Sequence, residues 1–495
     1  MKKYTVLNAA DNIGVAVAAL SPGETIIAAA GLKAADAIPG SHKFSLRPIA
    51  SGEKVIKYGI PIGVAVADIP AGAWVHVHNV RTGLSGEETY FYAPAPAGGK
   101  KISDSRAFMG YRRPHGRAGV RNEVWIVPTV GCVNWLAERL AARAGECLPA
   151  GIDAVAAFPH PLGCSQLGDD HEHTRVMLAS MARHPNAGAV LYVGLGCENN
   201  TMKDFRTLVE GFPERCAHIE YMVAQEVGDE LAEGWERLRV LLCAAATAER
   251  EPIPVSDLCV GMKCGASDGL SGVTANPLLG VFSDWLVDRG GAVVLTEVPE
   301  MFGAEKELLN RAESSAVFER GVAMINDFKK YFLRYGQPVY ENPSPGNKDG
   351  GITTLEDKSI GCTQKGGNRA VVDIQPYGGR ACRNGVTLLS APGNDLVSIS
   401  ALAAAGAQLI LFSTGRGNPL GGVAPVVKVS SNTDLARRKA HWIDFDAGPI
   451  ASGLDKYELL DGFVDLILAV ASGQRTRSEI AGIRDFAIFK DGVTL

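Results

Sequence analysis

Strand-like and helix-like runs alternate between residues 123 and 223 with a period of about 33 residues, and this alternation limits the fold more than any other feature of the chain. EVWIVPTV (123–130) precedes the helical run WLAERLAARA. IDAVAAFPH (152–160) precedes HEHTRVMLASMARH, AVLYVG (189–194) precedes a helical run from about Met202, and HIEYMV (218–223) closes the series. Parallel strands need crossovers of a dozen or more residues, usually a helix, so the pattern predicts a parallel α/β sheet. Cysteine marks the same period. Cys132, Cys164 and Cys197 each follow a glycine and lie just past the carboxyl end of a strand, the edge at which open α/β sheets bind ligands. The three are expected in one crevice.

The 495 residues are enough for about three domains. Residues 1–92 read as β-rich: short apolar or alternating runs such as YTVLN, KVIKYG, PIGVAVADI and WVHVHNV, divided by Gly/Pro turns. Residues 93–104, which begin APAPAGGKK, read as a linker. An α/β domain spans 105–250. A larger C-terminal α/β domain spans 251–495, with strands in LCVGMKC, AVVLTEVPE, AVVDI, QLILFSTG and PVVKVSSN. The fold class is thus α/β: a small β-rich domain, then two α/β domains with mainly parallel sheets. Glu341–Gly367 reads as a long polar loop of 27 residues, whose Gly, Asn, Lys, Thr and Asp suit a polyhydroxylated ligand.

Several functions are disfavoured by composition. A net charge of −5, a pI near 6.1 and no long basic run argue against nucleic-acid binding. Leu396–Gly415 carries no charged residue between its ends, yet it is mostly Ala with Ser398, Ser400 and Gln408. It reads as a buried helix and a strand, not a membrane span. The N-terminus has Asp11 and no apolar run of signal-peptide length, so the expected compartment is the cytoplasm. Ten cysteines there imply free thiols or metal ligands.

Three segments carry chemistry. HVHN (76–79) places His76 and His78 at i and i+2, one face of a strand, as half of a metal site with Asn79 beside them. PHPLGCSQLGDDHEH (159–173) gathers His160, Cys164, Asp169, Asp170, His171, Glu172 and His173 in one strand-to-helix connection, a donor set suited to Fe(II), Mn(II) or zinc. GLGCENN (194–200) lacks dinucleotide-binding spacing, and GRGNPLGG (415–422) lacks the Lys-Ser/Thr of a P-loop, although its N–H groups and Arg416 suit a carboxylate. Cys132, Cys164, Cys197 and Cys264 also fit iron–sulfur ligation or simple packing in tight turns; no compact C-x-x-C spacing decides between these.

At these motifs the chain resembles the altronate/galactarate dehydratase family. The runs SHKFSLRPIASGEKVIKYGIPIG, GRAGVRNEVWIVPTVGCVN, GCSQLGDD, GLGCENN, CGASDGLSGVTANPLLG, LTEVPEMFGAE, ENPSPGNKDGGITTLEDKSIGCTQKGG, STGRGNPLGG and HWIDFDAG carry the likeness, which spans the chain. The altronate branch is the nearer one and the galactarate branch the more distant. The chain departs from the pattern mainly in a shorter linker. The resemblance implies an N-terminal SAF-like β-clip domain and an Fe(II)- or Mn(II)-dependent hydro-lyase of hexuronate breakdown. That activity converts D-altronate to 2-keto-3-deoxy-D-gluconate and water. The partner it implies is a small sugar acid, and a homo-oligomer is compatible with it. The C2 proton of an aldonate is very weakly acidic, so such a reaction needs a cation to neutralise the enediolate, a base for the proton and an acid for the departing 3-hydroxyl. His160, His171, Glu198 and Lys263 are the candidate acid–base groups. His42, Asn79, Arg121, Lys348, Lys365 and Arg416 are candidates to hold the substrate, and His76, His78, Cys132, Cys164 and Cys197 to hold the metal. A galactarate-type dehydratase, a non-catalytic sugar-acid-binding protein and a Schiff-base aldolase using Lys263 are the competing readings.

Overall fold

In the computed structural model, residues 3–95, 98, 99, 101–103, 105–216 and 218–495 are described. The N-terminal module is built from short antiparallel strands. Tyr4–Thr5, Ile13–Ala16, Lys43–Ser45 and Trp74–Val75 form one sheet, and Lys54–Lys57, Ile60–Ala65 and Val80–Arg81 another. Gly/Pro turns end each strand before it can lengthen. Ile13, Val55, Ile62, Val75 and Val80 fill a small core that also takes in Ala304 and Ile360 of the C-terminal domain, so the module is docked through its own hydrophobic centre.

Part of the expected linker, residues 96, 97, 100 and 104, lies outside the described residues. The stretch leading into it runs along the C-terminal domain. Tyr90 Oη donates to Glu305 Oε1 at 2.9 Å, Tyr92 Oη to the Ala312 carbonyl at 2.7 Å, and Ala95 N–H to the Asn310 carbonyl at 2.9 Å. Beyond it, Ala107–Tyr111 pairs antiparallel with Arg250–Pro254, a ribbon outside both parallel sheets.

The 33-residue period becomes a four-stranded parallel sheet in the order 154–157, 123–128, 187–194, 218–223. The C-terminal sheet has seven parallel strands in the order 371–375, 385–389, 292–295, 259–264, 409–414, 426–430, 445–446. Its central strands read as continuous apolar runs because helices cover both faces. Leu396–Gly415 folds as expected into a buried helix, Asp395–Ala404, and the buried strand Leu409–Thr414. No helix among the described residues is long and apolar enough to cross a membrane. One apolar cluster joins the two α/β domains: Trp125, Phe158 and Tyr192 pack in continuity with Val294, Leu402 and Phe412.

The expected loop at 341–367 is a correction. It contains a short helix, Pro345–Asp349, and a fully buried helix, Leu355–Thr363. Thr354 caps the second by accepting the N–H of Asp357. Its polarity reads as solvent-exposed, but Asp357, Lys358 and Cys362 are turned into a polar interior.

Candidate active site

The polar interior lies at the carboxyl edge of the seven-stranded sheet. The strand 259–264 connects to 292–295 on one side, and the chain returns later to 409–414 on its other side. This reversal is the switch point at which open α/β sheets leave a crevice. Lys263 is fully buried on that central strand. Its Nζ pairs with Glu297, donates to the Cys264 carbonyl at 2.6 Å and pairs with Asp395 Oδ1 at 2.9 Å. Burial alone would lower the Lys263 pKa, but Glu297 and Asp395 hold it above the ordinary lysine range.

Glu297 follows the strand Ala292–Leu295 in a left-handed conformation, φ 70°. Ala266, after the central strand, is also left-handed at φ 50°. Side chains adopt this region at a cost of about 1–3 kcal/mol, and such strain gathers at functional sites. The turn lets Glu297 bridge two cations, with Oε2 2.9 Å from Lys365 Nζ, while accepting the Cys264 N–H at 3.1 Å. Glu300 lies one turn on. Its Oε1 pairs with Lys358 at 2.9 Å, and its Oε2 sits 3.1 Å from Cys264 Sγ and 3.2 Å from Cys362 Sγ. The two sulfurs are 3.2 Å apart. Burial would raise the Glu300 carboxyl, but Lys358, Lys263 and Lys365 hold it below the ordinary range. Cys264, Glu300 and Cys362 form the group of three metal-type donors found within 4.8 Å of one another among the described residues.

The N-terminal module closes one side of this interior. Asp357 accepts from Lys43 at 2.7 Å and Lys57 at 2.9 Å, all three side chains being at most 2% exposed. Burial opposes the charge, yet the two ammonium groups hold the Asp357 carboxyl below its ordinary range. A Cβ on Gly269 would stand 1.9 Å from the Ser41 carbonyl oxygen, and one on Gly351 2.3 Å from it, so the docking surface needs glycine at both positions. The cavity left on this side, lined by Lys57, Asp268, Lys358 and Cys362 among others, is about 10 Å³, room for one water at most. Asp395, 30% exposed, and the exposed Arg416 mark the open side.

Of the residues expected to act, the structure brings Lys263 and Lys365 together in the crevice, with Arg416 and the half-buried Lys348 near its mouth. Arg416 donates to the Gly346 carbonyl at 2.7 Å, and Lys348 has no ion pair among the described residues. His42 and His76 face the same segment from the module. Nε2–H of His42 donates to the Asp349 carbonyl at 3.1 Å, its Nδ1 accepts the Trp74 indole N–H at 3.1 Å, and His76 Nδ1 lies 3.1 Å from Thr353 Oγ1. Burial, then Lys43 and His42, press the His76 pKa down to about 3, which keeps its ring neutral. The shared strand face expected for His76 and His78 is a correction. Residues 76–79 form a turn because Asn79 Oδ1 accepts the His76 N–H at 2.9 Å and its amide donates to the Trp74 carbonyl at 2.8 Å. His76 is buried and His78 exposed, yet both rings pack against Trp74, at 5.5 and 5.1 Å between centroids, so a turn and not a strand brings them together; the Asn79 amide is spent on that turn.

The remaining residues stand in the second domain. His160 has both ring nitrogens committed to backbone: Nε2–H donates to Pro128 at 2.8 Å and Nδ1 accepts from Leu162 at 3.2 Å. Glu198 accepts from Thr129 Oγ1 and from the N–H groups of Leu195 and Gly196, pinning its own loop. Arg121 is buried against Glu479 at 2.9 Å and the carbonyls of Val120, Val470 and Gln474, which ties the domain to the C-terminal segment. His171 is half-buried with Nε2 unpartnered. Cys132, Cys164 and Cys197 are exposed in neighbouring loops of the four-stranded sheet. The N–H groups of the GRGNPLGG loop are partly taken: Leu420 N–H donates to Asn418 Oδ1 at 3.0 Å and Gly421 N–H to Asp485 at 3.2 Å.

The sequence reading missed Glu297, Glu300, Lys358, Cys362 and Asp395 as site residues. The carboxylates that end AVVLTEVPE, just past a strand, were the available signal; Cys362 and Lys358 were hidden in a segment read as loop.

Known proteins match the whole chain. Family models described as D-galactarate/Altronate dehydratase, C-terminal, as D-galactarate dehydratase/Altronate hydrolase, second domain, and as Altronate/galactarate dehydratase SAF domain match residues 255–494, 110–246 and 2–83. The chain is 52% identical to altronate dehydratase of Escherichia coli and 49% identical to that of Bacillus subtilis, with all of each chain covered. It is 30% identical to galactarate dehydratase (L-threo-forming) of Escherichia coli, over 90% of this chain and 88% of that one.

Proposed function

The chain belongs to the altronate/galactarate dehydratase family, and from that premise we propose that it removes water from D-altronate to give 2-keto-3-deoxy-D-gluconate in the crevice of its C-terminal sheet. It is a sugar-acid hydro-lyase. The higher identity to the two altronate dehydratases favours that substrate over galactarate. One observation carries the placement: three buried lysines, Lys263, Lys358 and Lys365, converge with Glu297, Glu300 and Asp395 at the switch point. Loss of the C2 proton turns a carboxylate into an enediolate with a second negative charge. Fixed, buried cations stabilise that charge without reorganising. Lys348 and Arg416 at the open side suit the substrate carboxylate. Asp395 is the partly exposed carboxylate of the network, held by Lys263 at 2.9 Å and Asn418 at 2.8 Å, and we assign it the C2 proton. Lys263, buried among carboxylates and carbonyls as a charged ammonium, is no Schiff-base nucleophile, which disfavours the aldolase reading.

Fe(II) or Mn(II) is the cofactor we assign. Two sulfurs and a carboxylate oxygen within 4.8 Å fit one divalent ion held by Cys264, Glu300 and Cys362, and the sulfurs favour iron over manganese. When bound, the ion supplies a Lewis acid beside the lysines. The cytoplasm, where thiols stay reduced, is the compartment this reading calls for.

The test is an anaerobic assay of metal-loaded protein against aldonates and aldarates, detecting 2-keto-3-deoxy products. Altronate is expected to turn over best, chelation to abolish activity and Fe(II) to restore it. Asp395→Asn is expected to lower turnover by about 10²–10⁴-fold with little change in KM. Full turnover in a metal-free sample, or in Asp395→Asn, would refute the corresponding assignment.

A further inference from the structure

We infer that Cys132, Cys164 and Cys197 are the three protein ligands of an iron–sulfur cluster on the second domain, separate from the crevice described above. The three follow the strands 123–128, 154–157 and 187–194, which are adjacent in the sheet with Cys132 on the middle one. Adjacent strands are about 4.8 Å apart, so the outer two would be about 10 Å apart if the loops ran straight on. They do not. Ser165 N–H donates to Asn199 Oδ1 at 2.7 Å and Asn200 N–H to the Gly163 carbonyl at 3.3 Å, so the residues flanking Cys164 and Cys197 meet. Gly131 N–H donates to the Leu162 carbonyl at 2.8 Å and ties in the loop of Cys132. The crossing is built with left-handed backbone: Gly163 at φ 103°, Ser165 at 58° and Gly196 at 128°. A Cβ on Gly163 would stand 2.1 Å from the Thr129 carbonyl oxygen, so this close approach requires glycine.

All three thiols are exposed, unlike most free cysteines, which are packed inside. Cys147, Cys243 and Cys382 are exposed as well, but Cys147 and Cys382 lie in other connections and Cys243 on the helix Glu230–Ala245. Spacing selects the kind of ligand. A single ion with metal–sulfur bonds of about 2.3 Å needs its sulfurs within roughly 4.6 Å of each other. The three sulfurs do not form a group within 4.8 Å of one another. A sulfide-bridged cluster spreads its thiolates more widely, so it does not need the three sulfurs that close. The surroundings suit it too. Gln225 Nε2 lies 3.8 Å from Cys197 Sγ and Ser165 Oγ 3.9 Å from Cys164 Sγ, donors for cluster-bound sulfur. Helices Asn134–Gly145, Gly168–Ser180 and Met202–Glu210 each begin shortly after one of the cysteines, so their positive ends gather on the anionic side. Three ligands leave one iron of a four-iron cluster without a protein donor. Loading needs no redox step: the three thiols displace three thiolates of a preformed cluster, and their three protons leave on the displaced thiols.

The experiment is anaerobic transfer of a preformed four-iron cluster ligated by 2-mercaptoethanol to the full chain, followed by desalting and measurement of acid-labile sulfide and the cluster's visible absorbance. The wild type is expected to retain about four sulfides per chain. Cys132→Ser, Cys164→Ser and Cys197→Ser are each expected to lose most of that sulfide, while Cys147→Ser keeps it. Circular dichroism of each variant confirms the fold. A wild type that retains iron without sulfide, or retains neither, overturns the inference. So does retention abolished by Cys264→Ser or Cys362→Ser but not by the second-domain variants, because the cluster would then belong to the crevice.

Discussion

Asp357→Asn is the sharpest probe of how the N-terminal module is held. The substitution keeps the size of the side chain and removes one charge from a buried triad in which Asp357 meets Lys43 at 2.7 Å and Lys57 at 2.9 Å. Replacing the pair by well-packed apolar groups is often neutral, but removing one partner leaves buried charge uncompensated and costs about 3–5 kcal/mol. Lys43 retains one strong acceptor, the Gly351 carbonyl at 2.6 Å, whereas Lys57 loses its only carboxylate, so the cost is expected within that range. Both lysines regain water if the module lifts off, so the loss falls on docking rather than on either fold. At about 1.4 kcal/mol per decade, docking weakens by roughly 10²–10³·⁵-fold. Hydrogen exchange reports this directly: amides of Lys43–Ser45 and Leu355–Thr363 should exchange faster, while those of the strand 187–194 should not change. The triple variant Lys43→Met/Lys57→Met/Asp357→Leu should recover much of the protection. Unchanged exchange in Asp357→Asn, a loss below about 1 kcal/mol, would refute the claim that this triad holds the module.

Gly269→Ala perturbs the same interface sterically, since its Cβ would stand 1.9 Å from the Ser41 carbonyl oxygen; it should raise exchange in the same segments without any dependence on salt. His184 governs acid stability at the junction of the two α/β domains. It is buried with Nδ1 accepting from Asn186 at 3.1 Å and Nε2–H donating to Ala407 at 3.1 Å, and burial presses its pKa from 6.5 down to about 3. The unfolded chain binds this proton first, so the contribution is full above about pH 6.5 and is lost as pH falls toward 3, by about 1.4 kcal/mol per unit. Urea titrations of the wild type and His184→Gln between pH 7 and 4 should show a shallower slope in the variant; equal slopes would remove His184 as the cause.

Much of the architecture was legible because apolar periodicity is a local property. The strands and helices between 123 and 223, the helix and strand in Leu396–Gly415, and the β-rich start all follow from spacing and turn residues read a few positions at a time. So does the placement of Cys132, Cys164 and Cys197 beyond successive strands. The segment 341–367 was illegible because its helix is buried on every side, its charged side chains meeting buried counter-charges, and polarity in one dimension reads as exposure. HVHN misled for a related reason: alternation predicts a shared face, but the Asn79 side chain closes a turn that no alternation encodes.

Sequence alone determined that this chain builds parallel sheets with cysteine and carboxylate at their carboxyl edges. Only the tertiary structure decided which of those groups meet. Lys263, Glu297, Glu300, Lys358, Cys362, Lys365 and Asp395 span more than 130 positions of the chain, and no local signal relates them. They converge because the sheet reverses its winding beside the strand 259–264, and because a buried charge is tolerated only where another part of the fold delivers its counter-charge.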